Sequence, residues 1–155
     1  MHVRHALLAV AATLAVAAHA ADYGGSTATP TDKLSAARTQ LAAKNYPAAV
    51  DELRKVNDTR SADWNNLMGF ALRKGPQPDL AAAERHYNEA LRIDPAHKSA
   101  LEYSGELYLM KGDLAAAEQR LAALDKACFL TCAEKRDLAR AIERYKANGN
   151  KHVPS

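Results

Sequence analysis

The sequence predicts an all-α protein, an α-solenoid of about three helix-turn-helix repeats closed by a C-terminal capping helix. Three observations carry that expectation. The stretch from Ala62 to Pro95 reappears in the stretch that follows it, Gly69 lining up with Gly105, Leu72 with Tyr108, Ala83 with Ala117, Tyr87 with Leu121 and Ala90 with Leu124. Alanine dominates the composition while Phe (two) and Trp (one) are scarce, which favours closely packed helices over a sheet. Large apolar residues recur at helical spacing around the small positions, so each hairpin has an apolar face that only a neighbouring hairpin can cover.

Residues 1–20 read as a removable secretory signal. Arg4 lies between His2 and His5 in a short basic stretch, an apolar run from Ala6 to Ala18 is too short to span a bilayer, and Ala18-His19-Ala20 offers small residues where a signal peptidase reads. Cleavage is expected after Ala20, which leaves 135 residues, enough for a single core that buries roughly two thirds of its unfolded surface. No later stretch is long and apolar enough for a membrane segment, so no membrane insertion is expected after signal removal, and the compartment indicated is the periplasm, with secretion beyond it as the variant. Removing the signal takes one cation and leaves a net charge of +2 with the signs interspersed. Nucleic-acid binding needs a basic stripe, and the sequence has none.

Residues 21–31, with Gly24-Gly25, Ser26 and Pro30, read as a flexible leader. A first repeat is expected over about 30–61, a second over 62–97 and a third over 98–130. The offset between Gly69 and Gly105 is 36 residues and that between Ala83 and Ala117 is 34, and the two extra residues belong to the turn Gly75-Pro76-Gln77-Pro78. Gly69 with Ala83, and Gly105 with Ala117, are small where the two helices of a hairpin approach most closely. Asn45-Tyr46-Pro47 and Gly112-Asp113 are helix-start signals, Asp113 being able to cap free backbone amides. The capping helix is expected over 131–147, polar on one face through Arg136, Asp137, Arg140, Arg144 and Lys146, and apolar on the other through Leu138, Ala141, Ile142 and Tyr145; residues 148–155 form a tail.

These residues resemble the tetratricopeptide repeat (TPR), a 34-residue helix-turn-helix. Trp64, Leu67, Gly69, Leu72, Ala83, Tyr87, Ala90 and Pro95 fall where that family places its aromatic, apolar, small and Pro positions, with Trp64 one residue out of step. The third unit keeps Gly105, Tyr108, Gly112-Asp113-Leu114 and Ala117 but lacks the closing Pro. The first keeps Ala37, Lys44-Asn45-Tyr46, Ala49, Leu53 and Val56 but lacks the mid-helix Gly and the aromatic after it. The resemblance implies a concave face lined by the first helix of each hairpin, which takes a peptide or a partner's helix. Leu34, Arg38 and Leu41 would contribute to it from the first unit, Asp63, Asn66, Phe70, Arg73 and Lys74 from the second, and Ser99, Glu102, Glu106 and Leu109 from the third. Arg38, Asn66, Phe70, Arg73, Lys74, Glu102 and Glu106 are the candidate partner-binding residues, Asn66, Arg73 and Lys74 for a backbone or carboxylate and Phe70 as an apolar anchor. The set does not reproduce the Lys/Asn carboxylate clamp of the chaperone-binding members.

Cys128 and Cys132 form an even pair in a chain expected to be exported, which argues for a disulfide. Thr131 with Glu134 reads as a capping box that opens a new helix between them, letting the chain bend toward disulfide geometry. The alternative is a thiol or copper-handling site, against which stands the lack of a nearby Met or His to complete a ligand set. His86, His97 and His152 are widely spaced and read as surface residues. No G-x-S-x-G, P-loop or H-E-x-x-H pattern occurs, so no enzyme, no cofactor and no resident metal are expected. The function indicated is a non-catalytic protein-protein interaction module or assembly adaptor. A self-associating structural subunit of an envelope complex is the third alternative.

Overall fold

The computed structural model describes residues 32–130 and 132–152, and the expected signal and the whole of the expected leader lie outside them. Among the described residues the chain is all helical, with seven helices and no strand: α1 (Ser35–Ala42), α2 (Tyr46–Val56), α3 (Ala62–Lys74), α4 (Leu80–Ile93), α5 (Lys98–Met110), α6 (Leu114–Ala127) and α7 (Ala133–Ala147). Each helix packs on the next, α3 also touches α1 and α5, and α7 packs on both α5 and α6. No helix among them is long and apolar enough to cross a membrane.

Local chemistry explains where the helices start. Asp79 and Asp113 each accept a hydrogen bond from the amide three residues on, Ala82 at 2.8 Å and Ala116 at 3.0 Å, and Ser61 does the same for Trp64 at 3.2 Å. His97 caps α5 by accepting from the Ala100 amide at 3.1 Å. In the turn before α6, Gly112 takes φ +80°, a left-handed conformation open to glycine at little cost. The matching turn before α2 places Lys44 at φ +57°, so the first hairpin accepts strain that the third avoids. The capping helix begins one residue later than its box suggests, at Ala133. Its N-cap is Cys132, which makes no side-chain capping bond, and Thr131 lies outside the described residues.

The core runs between hairpins. Trp64 is buried against α2, donating its indole N–H to the Leu53 carbonyl at 2.8 Å, among Ala49, Val50, Leu53 and Leu67. Tyr87 and Ala83 pack with Leu107 of the following hairpin. Leu138, Ile142 and Tyr145 of α7 close the far end over Leu101, Ala117 and Leu124. A Cβ added at Gly69 would stand 2.9 Å from the Tyr87 ring and 3.1 Å from the Ala83 carbonyl, the close approach its spacing predicted. At Gly105 the three atoms nearest an added Cβ all belong to Leu138 of α7, whose methyl carbons would lie 2.5 and 2.7 Å from it. The small residue there serves the docking of α7 on α5.

Candidate functional site

The side chains predicted for one face do come from α1, α3 and α5, but they differ in depth. Arg38 of α1 is half exposed and reaches Asp63 of α3 at 3.1 Å and Asp32 at 3.3 Å. The His97 ring, accepting through Nδ1 from its own helix, carries its proton on Nε2 and donates it to Asp63 at 3.0 Å. A polar bridge thus crosses from α1 through α3 to the start of α5. His97 is therefore a cap and a bridge, largely covered, rather than a surface residue. His86 is also half buried, with Nδ1 3.0 Å from the Asn65 side chain and its ring edge-on to Trp64; burial, with Arg85 nearby, holds its pKa below the ordinary value.

One turn further along, aromatic rings take over. Phe70 of α3 lies 4.8 Å from Tyr103 of α5 and 6.2 Å from Tyr46 of α2, centroid to centroid. The Arg73 guanidinium sits 5.7 Å from both the Phe70 and Tyr103 rings. Arg73 itself is buried, with 3% of its surface exposed. It donates through Nε to the Tyr87 hydroxyl at 3.3 Å and pairs with Glu106 of α5 at 2.8 Å. Burial keeps the Tyr87 hydroxyl protonated well above its usual range. The expectation that Arg73 stands exposed for a partner is corrected: it is a buried tie between α3, α4 and α5. Leu34 and Leu109, expected on the open face, are buried, and Leu41 packs against the first core cluster.

Asn66, also expected to be exposed, is 4% exposed, and its side-chain carbonyl is buried with no hydrogen-bond partner. Lys74 and Glu106 line a cleft of about 240 Å³ with Leu109, Met110, Arg144, Tyr145 and His152, so the tail returns to this side of α3. Burial, with Arg73 nearby, holds the His152 pKa below the ordinary value. Glu102 is half buried on α5, and its carboxyl pKa is pushed up to about 7 by burial first, then by the carboxylates of Glu106, Asp137 and Glu134. Tyr103, Glu134 and Asp137 were not legible as neighbours of this site, because only the docking of α7 on α5 brings the last two beside Glu102.

Cys128 and Cys132 are joined, with S–S 1.98 Å and Cα–Cα 5.9 Å. The closed loop between α6 and α7 leaves Phe129 97% and Leu130 80% exposed. Among the described residues no group of three or more His, Cys, Asp or Glu side chains is placed to hold a metal. No family model matches the chain, and no curated protein matches it.

Proposed function

We propose that the protein is a periplasmic, non-catalytic binding module of TPR-like architecture, a solenoid of three helix pairs and a capping helix, which holds a segment of another polypeptide along the face of its first helices. One observation carries the reading. The first helices α1, α3 and α5 contribute to a single band of side chains, from the Arg38–Asp63–His97 bridge to the partly buried Phe70–Tyr103 pair. A rigid face with an aromatic anchor beside unmet polar groups has the composition of a recognition surface, since buried aromatic anchors dominate the energetics of such contacts. Arg73 then acts from beneath, fixing Phe70 and Tyr103, while Arg38, Phe70, Lys74 and Glu102 are the side chains offered to a partner.

A photo-crosslinking residue placed at position 70, and in a second protein at position 140 on the capping helix, tests this in cells that export the chain. The expected result is a discrete adduct from position 70 alone. Adducts from position 140 with none from position 70 would move the site to α7. The second reading, self-association through the C-terminal end, is favoured by the exposure of Phe129 and Leu130 on the disulfide loop. Dimerisation abolished by Phe129→Ser would support it.

A further inference from the structure

We infer that two copies of this chain pair through the disulfide-closed loop, Phe129 of each copy seating in the groove beside the other's loop. The inference rests on the self-association reading above and deepens it by naming the surface and its occupant. Among the described residues, Phe129 and Leu130 are the large apolar side chains that stand almost wholly in solvent. The loop holds them there, because Cys128 at its base is buried in the C-terminal core and bonded to Cys132, so little freedom remains to be lost on association. Beside them lies a groove of about 450 Å³, lined by Leu130, Cys132, Ala133, Ala139, Lys135 and Arg136. Its small apolar residues leave room for a ring, the stems of Lys135 and Arg136 offer aliphatic contact, and the exposed Arg136 guanidinium can lie over an aromatic face.

Three features of this surface name a second copy as the occupant. The projecting side chains and the groove adjoin, since Leu130 belongs to both. A two-fold axis between them lets each copy give Phe129 and receive it, which closes the pair and leaves no groove open for further copies. The area is sufficient. The two side chains present roughly 300 Å² per copy; with the groove surface that covers them and the symmetric contact, pairing removes roughly 1,200 Å² from water, above the roughly 1,000 Å² that a specific interface needs. Charge permits it as well. Asp125 pairs with Lys135, and Asp137 with Arg136 at 3.2 Å and Arg140 at 3.9 Å, while Lys126 and Glu134 add one charge of each sign. Such a near-balanced surface exerts little pull on an anionic bilayer, and an identical surface approaches it without strong repulsion. The contact uses only the α6–α7 loop and α7, and none of the side chains that α1, α3 and α5 offer to a held segment.

Sedimentation velocity of the oxidised protein without its signal, over concentrations up to about 1 mM, provides the test. The expected result is a monomer–dimer equilibrium with no larger species. Phe129→Ser removes the inserted ring, and Ala139→Trp fills the groove; Ala133→Trp, at an exposed position, fills it if Ala139→Trp fails to fold by far-ultraviolet circular dichroism. Each change alone should weaken pairing by about a hundredfold or more, because it enters the two-fold contact twice. Mixing Phe129→Ser with the tryptophan variant should restore a weak mixed dimer, since an intact ring then meets an intact groove once. A dimer untouched by the tryptophan, or one that survives Phe129→Ser, would overturn this inference while leaving self-association itself standing. A wild type that stays monomeric throughout would overturn both. Monomers that bind phosphatidylglycerol vesicles only when Phe129 is present would do the same and make a membrane surface the occupant. Cross-linking from position 70 is independent of all these outcomes.

Discussion

Arg73 of α3 and Glu106 of α5 meet at 2.8 Å, with the guanidinium 3% exposed and the carboxylate 23% exposed. The pair crosses from one hairpin to the next, and the same guanidinium donates to Tyr87 of α4, whose side chain is fully buried. One side chain therefore ties three helices. The Phe70 and Tyr103 rings that flank it owe their fixed positions to that tie, which links packing between hairpins to the shape of the candidate face.

Arg73→Ala is expected to destabilise the fold by about 2 to 4 kcal/mol, because it opens a cavity, leaves the Tyr87 hydroxyl without its donor and leaves Glu106 unpaired. Arg73→Lys should recover only part of that, since an ammonium lacks the fork that serves Tyr87 and Glu106 together. Urea unfolding followed by circular dichroism measures both. A fully stable Arg73→Ala would show that the buried pair contributes nothing net.

Spacing from Asn66 through Phe70 to Arg73 gives the direction in which a side chain leaves its helix, and that direction was legible. Depth was not, because it depends on α5 bringing Tyr103 and Glu106 over the top from 30 and 33 residues away. The same limit explains Gly105. Its smallness was legible as a close approach, yet the element approaching is α7 through Leu138, a contact between helices that are not neighbours in sequence. Features that are local in the chain fared better: the helical character, the Asp113 cap, the Gly69 contact within its own hairpin and the Cys128–Cys132 bridge are all present.

Gly105→Ala should destabilise by about 1 to 3 kcal/mol, as overpacking does in a filled core, and the loss should concentrate at the C-terminal end. An added Cβ pushes on Leu138, so α7 must shift from α5. Hydrogen exchange resolves the consequence: amides of α7 should lose protection more than amides of α2. Leu138→Ala in the same chain should relieve the clash, making the double variant less destabilised than the sum of the two singles.

Reduction of Cys128–Cys132 should cost only about 2 kcal/mol, because the sequence separation of 4 closes a very short loop and constrains few unfolded conformations. The helices should survive it. Unfolding midpoints measured with and without reductant test the magnitude, and a collapse of the helical signal on reduction would show that α7 depends on the bridge for its docking rather than on Leu138, Ile142 and Tyr145.

Glu102 should make stability fall as pH rises across the neutral range, in the opposite sense to a salt-bridged carboxylate. Its carboxyl in the folded protein is pushed up to about 7 from an ordinary value of 4.5, by burial and by Glu106, Asp137 and Glu134, with Arg73 opposing and Tyr103 alongside. Between those two values the folded chain keeps a proton that the unfolded chain releases, so the unfolded state binds fewer protons and unfolding becomes easier with each step up in pH. The group's stabilising contribution is complete below about 4.5 and is lost as pH passes 7. Carboxylates held down by ion pairs, such as Glu89 beside Arg92 and Asp125 beside Lys135, act the other way, losing stability as pH falls through their lowered values. Comparing wild type with Glu102→Gln at each pH cancels their share. The variant should match the wild type near pH 4.5 and exceed it above pH 7 by on the order of 1 kcal/mol, a figure reduced for the solvent that reaches a half-buried group. Equal stabilities at both ends would mean that water or rearrangement relieves the carboxylates at this face.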